Sequence, residues 1–434
     1  MNLLSMKCRL IRFSTLIMCI FVFFCGCDIW FPEESEWIKH TVSETFEGAD
    51  MYVGDIDNDG NDDFISSGLF HRTLSWFNYS LENDKYIWTE HIIDSGTNTT
   101  PGDNSLSDLD DDGDLDIVVC GVCTEREEYI CVASHMLWYE NIDNGSSWGK
   151  HIIAEMDVLG AGYLDVEDMD GDGDPDVVAT TLKMSPKQEL SEIAWFRNNL
   201  DQDNGIWEKI VISAAEDGVY DANSPVIADF DNDGRSDIAV ACGAYFSETG
   251  KVYWFRSKND NQTEWERFDV DQEDDDTYCY MYKMDLNEDG MMDLVAGRND
   301  SDFAGNQDGG GVVFFINPGN PATGGEWIKY TIEEGDFRMG SGIWLDDVDG
   351  DGKVDLLNTY PGLYRIFETG NVSLIKFHFD PVLGIVVDSR EMISTNAPAA
   401  LDAHTIDLNK DGIKEVIGSG LNRKGLYLYE APVD

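Results

Sequence analysis

The chain has 434 residues, with 85 Asp and Glu against 29 Lys and Arg, and a formal net charge of −56. A surface this acidic repels phosphate backbones and anionic lipid, which excludes nucleic acid and acidic membrane faces as partners. Beyond residue 30 no stretch carries a sustained helical period, and short β-branched and aromatic runs predict strands throughout.

In chain order, residues 1–27 form a targeting segment. Lys7, Arg9 and Arg12 give a positive start, and Phe13 to Phe24 a short apolar core, too short for a comfortable membrane span. Phe24-Cys25-Gly26-Cys27 resembles a bacterial lipoprotein processing box, with Phe24 in place of the usual Leu. This predicts export with a lipid on Cys27 and a short tether over 28–35. An ordinary signal peptide cut nearby, or an uncut anchor, are the alternatives. A lipid there would hold a protein facing the periplasm or cell exterior on a membrane surface without making it span one.

Residues 55–63 read Asp-Ile-Asp-Asn-Asp-Gly-Asn-Asp-Asp and run straight into Phe64-Ile65. Carboxylates at positions 1, 3, 5 and 9 around a Gly at position 6 describe a calcium loop. A hard cation takes six or more oxygens at about 2.4 Å, and alternate acidic residues in a tight turn can point inward together. Six more such loops follow. The first offers Asp55, Asp57, Asp59 and Asp63; the second Asp108, Asp110, Asp112 and Asp116; the third Asp168, Asp170, Asp172 and Asp176. The fourth offers Asp229, Asp231, Asp233 and Asp237, and the fifth Asp285, Asn287, Asp289 and Asp293. The sixth offers Asp347, Asp349, Asp351 and Asp355, and the seventh Asp407, Asn409, Asp411 and Glu415. An EF-hand would need an acidic residue at position 12 and flanking helices. Position 12 here is Ser66, Val119, Ala179, Val240, Ala296, Asn358 or Gly418, and the two residues before it begin a buried strand.

Between loops one plan recurs. A short strand leads to an aromatic one, such as Trp76-Phe77, Trp138-Tyr139, Trp195-Phe196, Trp254-Phe255 and Phe314-Phe315. A strand headed by Trp follows, at Trp88, Trp148, Trp207, Trp265 and Trp327. With the strand before each loop this makes four strands per repeat. Such units bury both faces only by stacking, and radial stacking gives a β-propeller. The seventh unit ends at its third strand, Tyr427-Leu428-Tyr429, while an orphan fourth strand, Trp37 to Val42, precedes the first loop. The expected architecture over residues 36–434 is therefore an all-β, seven-bladed β-propeller of four-stranded blades. A calcium loop sits in each blade, and the N-terminal strand closes the ring.

These loops, each followed by an apolar strand, resemble FG-GAP/VCBS repeats, the units of integrin α-subunit propellers and of many bacterial exported proteins. The resemblance covers essentially the whole chain after residue 36. It implies about seven calcium ions at one rim, where the innermost strand passes to the next, and a ligand surface on the opposite rim. It does not select an activity, because similar repeats serve adhesion proteins, lectin-like binders and some polysaccharide lyases.

On that opposite rim the candidate ligand-binding residues are Tyr163, Tyr280, Arg298, Arg338, Trp344, His404 and Arg423. Aromatic rings would stack on sugar faces. In a lyase the arginines would neutralise a uronate while Tyr280 or His404 moved a proton. Three classes stay open: a glycan- or protein-binding module, a polysaccharide lyase, and a structural subunit of a cell-surface assembly. The absence of a catalytic constellation favours binding. His40, His91 and His151 share one repeat position and mark no site. Five cysteines lie beyond Cys27, an odd number. A disulfide within residues 120–131 is expected, and one between Cys242 and Cys279 is geometrically possible.

Overall fold

The computed structural model describes residues 36–432 apart from 47, 69–72, 84, 96–102, 128–129, 157–161, 182–190, 201–205, 215–216, 244–249, 273–276, 300–310, 333–341, 361–369, 398–399 and 421–424. The targeting segment, Cys27 and the tether fall outside these residues. Among the described residues no helix is long and apolar enough to cross a membrane.

Seven four-stranded antiparallel sheets account for the strands. In the first blade, Gly48–Gly54 is innermost, followed outward by Asp63–Gly68, Thr73–Leu81 and Tyr86–Ser95. The next five blades repeat that order. The innermost strands of successive blades lie side by side around the axis, the seventh against the first. Second strands are buried on both faces, as in Asp176–Thr181 and Asp237–Cys242, which explains why they read as continuous apolar runs rather than alternating ones.

Blade seven is assembled from both ends of the chain. Ile38–Ser43 pairs antiparallel with Leu426–Glu430, with Ile38 opposite Glu430 and His40 opposite Leu428. Beside it Trp37 donates from Nε1 to Glu391 of blade six at 2.7 Å.

Each contact between neighbouring blades has its own apolar cluster. Between blades one and two it is built on Ile65, Trp76, Ile117 and Tyr139. Between blades seven and one it is built on Phe64, Phe77, Ile417 and Leu428. The core is thus seven wedges, not one centre, as stacking of amphipathic blades demands. Residues 120–135, expected as a long loop, instead extend two strands, Asp116–Glu127 and Ile130–Asn141, into one long hairpin.

Candidate functional site

All seven aspartate loops share one hydrogen-bond design. The Gly at position 6 donates its N–H to Oδ2 of position 1, at 2.8 Å for Gly60–Asp55 and 3.2 Å for Gly412–Asp407. These glycines have φ between 85° (Gly234, Gly352) and 104° (Gly173), a region that side chains disfavour. Position 4 is left-handed as well, even where it is Glu288 or Lys410. The position-9 carboxylate is buried and accepts from the N–H of position 2, as in Ile56 to Asp63 at 3.1 Å. In the second, third and fifth blades its other oxygen accepts from the third strand: Asn141 to Asp116 at 2.8 Å, Asn198 to Asp176 at 2.6 Å, and Asn317 to Asp293 at 2.7 Å.

Carboxylate oxygens converge to within 4.8 Å of one another in five loops: Asp55, Asp57 and Asp63; Asp108, Asp110 and Asp116; Asp168, Asp170 and Asp176; Asp229, Asp231 and Asp237; and Asp347, Asp349 and Asp351. Burial pushes the position-9 carboxyls up, to about 8 for Asp63 and about 7 for Asp116, Asp176, Asp237 and Asp293. Five buried carboxylate oxygens, Oδ1 of Asp110, Asp170, Asp231, Asp347 and Asp407, have no hydrogen-bond partner among the described residues. Such groups are costly unless something polar meets them. An all-oxygen donor set with orphaned, buried, converging carboxylates fits a calcium ion.

The aspartate loops differ in what faces them. A cation on the third strand meets the position-3 acid in three blades: Arg197 on Asp170 at 2.9 Å, Arg256 on Asp231 at 2.5 Å, and Lys376 on Asp349. The equivalent residue in blade one is Asn78, which donates to Asp57 at 3.2 Å, and in blade two it is Glu140.

A clasp ties six of the seven loops to the next blade. The carbonyl at position 2 accepts from Asn141 (to Ile56, 2.9 Å), Asn198 (to Leu109, 2.8 Å), Gln262 (to Met169, 2.8 Å), Asn317 (to Phe230, 2.8 Å) and Tyr79 (to Leu408, 2.7 Å). At Val348 the donor is the Lys414 N–H, at 2.8 Å. The asparagines that end the aromatic strands in the sequence therefore hold neighbouring blades together, a role their position alone does not announce.

At the opposite end of the innermost strands a cavity of about 230 Å³ lies on the axis, lined from six of the seven blades. Two layers of side chains face it. Five residues before each loop stand Asp50, Asp103, Tyr163, Tyr280 and Asp402; three before stand Tyr52, Asp165, Tyr282 and His404. Tyr163 and Tyr280 meet edge to face at 6.2 Å, and Trp344 stacks obliquely on His404 at 4.1 Å. Three of the acids bridge blades: Asp402 accepts from the Met51 N–H at 3.0 Å, Asp103 from Leu164 at 3.1 Å and Asp165 from Ile227 at 2.9 Å. Burial pushes Asp103 up to about 7 and Asp165 to about 6. Asp50 is raised further, first by burial and then by Asp103 and Asp402.

Of the residues singled out from sequence, Tyr163, Tyr280 and His404 line this cavity and Trp344 packs against His404. Arg298 sits on the second strand of blade five opposite Tyr278, half-buried and away from the lining. Arg338 and Arg423 lie outside the described residues. The sequence reading missed Asp50, Asp103, Asp165, Asp402, Tyr52 and Tyr282. The signal was available in period-two counting back from each loop, but the layers differ in residue type from blade to blade. The bridge considered between Cys242 and Cys279 is not formed, and Cys120 is also a buried thiol. Cys242 instead packs into the cluster between blades three and four. Burial raises the Cys120 and Cys279 thiols to about 12. The side chains of Cys123 and Cys131 lie outside the described residues.

A family model described as FG-GAP-like repeat matches residues 108–179, 168–240 and 229–296. Each window runs from one aspartate loop through the strand after the next. Among solved structures the fold is similar to BBS1N, crystallised in complex with ARL6DN, at 12% identity and a TM-score of 0.52, covering 92% of this chain and 98% of that one. It is also similar to the Dos1 propeller, at 8% identity and a TM-score of 0.47, covering 91% and 95%. No curated protein matches the sequence.

Proposed function

The chain carries FG-GAP-like repeats in a seven-bladed propeller, and from that premise we propose that it is a calcium-binding interaction module. Calcium fills the aspartate loops, one ion to a loop, its two charges offsetting two carboxylates and locking the turn between the first two strands of each blade. The observation that carries this reading is the set of buried, partnerless carboxylate oxygens in the loops. In this reading the protein is exported and held on a membrane surface by a lipid on Cys27.

With one rim committed to metal, the ligand, a glycan or a protein, docks at the other. Tyrosine rings and carboxylates around the axial cavity suit sugar faces and hydroxyls. An acidic polysaccharide is disfavoured there. The lining holds Asp50, Asp103, Asp165 and Asp402 against Lys283 alone, and Lys283 is already engaged by Glu167 and by the Ile227 carbonyl at 2.6 Å. A lyase would need unpaired cations at that place to stabilise a carbanion next to a uronate.

The test is a glycan array probed in millimolar calcium and again with chelator, with a protein-partner capture run alongside. A saturable, calcium-dependent signal on either arm supports the module. Release of unsaturated product from polyuronate would replace the binding reading with the lyase.

A further inference from the structure

We propose that the axial cavity is a pocket for a small organic ammonium ion, recognised by Asp50, Asp402 and the bare nitrogen of His404 inside a cage of tyrosines. The inference concerns only the cavity and does not depend on what fills the aspartate loops.

Hydrogen-bond logic at His404 points to the ligand. The side chain is 2% exposed, and its Nε2 lies 3.1 Å from Oδ2 of Asp402. Where Nε2 donates to that carboxylate and the ring is neutral, Nδ1 is an acceptor, and it has no partner among the described residues. A buried acceptor without a partner calls for a donor. Asp50 lies in the same lining with Asp103 and Asp402 close enough to repel its charge, a repulsion that a cation between them would relieve. The Asp103 and Asp402 carboxylates each accept from a backbone N–H of the next blade.

Size and walls choose an organic cation over a bare metal. The lining carboxylates do not form one of the sets whose oxygens converge to within 4.8 Å, as the loop carboxylates do. A metal ion could not gather them directly, whereas an ammonium carries several N–H donors on a body that spans the gap. The volume of about 230 Å³ accommodates a few carbon atoms, and Tyr52, Tyr163, Tyr280 and Tyr282 present rings that attract a cation electrostatically. Lys283, the lining cation, is bound to Glu167 and partly offsets Asp165, which leaves Asp50, Asp103 and Asp402 without a Lys or Arg partner among the described residues.

Calorimetry on the full chain in millimolar calcium tests this with putrescine and its neutral isostere butanediol. Putrescine should bind saturably, and butanediol at least about tenfold more weakly, since charge-assisted hydrogen bonds are the stronger kind. Asp50→Asn should weaken putrescine by about tenfold or more without lowering the melting temperature, because Asp50 holds no neighbouring blade and its charge is opposed by Asp103 and Asp402. Glucosamine against glucose, run in parallel, identifies whether an amino sugar or a free amine is the better source of the ammonium group. Equal binding of putrescine and butanediol, no putrescine binding at millimolar concentration, or an Asp50→Asn variant that binds like the parent would overturn the proposal.

Discussion

A single carboxamide shows how the ring is held. Asn198 is 1% exposed and donates to Leu109 of blade two at 2.8 Å and Pro175 of its own blade at 3.1 Å. Asn198→Leu fills similar space but strands two buried carbonyls, each costing about 1–3 kcal/mol. We expect the variant to lose about 2–4 kcal/mol in denaturant unfolding followed under constant calcium. A loss below about 0.5 kcal/mol, the range of ordinary surface substitutions, would show that the clasp contributes nothing. Residue by residue, the metal loops were legible because chemistry fixes both type and spacing. The clasp was half-legible: Asn141, Asn198 and Asn317 recur visibly, yet nothing local says that their partner is a carbonyl one blade away. The cavity acids could be reached only by counting back from each loop, because Asp50, Tyr163 and Tyr280 occupy one structural layer without sharing a chemistry.

At the scale of the blade, loop and third strand act as a unit. In blade four the Arg256 guanidinium binds Asp231 at 2.5 Å and Asp233 at 3.0 Å, placing a fixed positive charge where an ion would bring its own. It competes with calcium through the same Coulomb attraction. Arg256→Gln should therefore raise the calcium affinity of one loop severalfold, and Glu140→Arg in blade two should lower that of another. Calcium titration by calorimetry reads both, and unchanged isotherms would separate the third strand from the metal. The strand plan itself was legible from the aromatic and Trp-headed runs, since their period survives every loop insertion. The hairpin formed by Asp116–Glu127 and Ile130–Asn141 was not, because the polar run Thr124-Glu125-Arg126-Glu127-Glu128 lacks the apolar stripe that marks a buried strand.

Over the whole molecule the two chain ends meet in one sheet. Ile38–Ser43 covers the edge of Leu426–Glu430, and Trp37 belongs to the cluster between blades six and seven. Deleting residues 36–43 uncovers a strand edge and opens that cluster, and exposed edges invite pairing between molecules. The deleted protein should melt lower and elute from a sizing column as oligomers; a monomer with the parent's melting temperature would contradict this. The split blade was legible because the seventh unit lacks a Trp-headed strand and the N-terminus supplies one. Calcium loading remains the claim on which the functional account turns. Metal analysis of protein equilibrated in millimolar calcium tests it most directly. The account predicts several calcium ions per chain, approaching one for each of the seven loops, with the Asn287 and Asn409 loops emptying first on dilution because each holds one carboxylate fewer. Protein that carries one ion or none, or zinc in place of calcium, would contradict it.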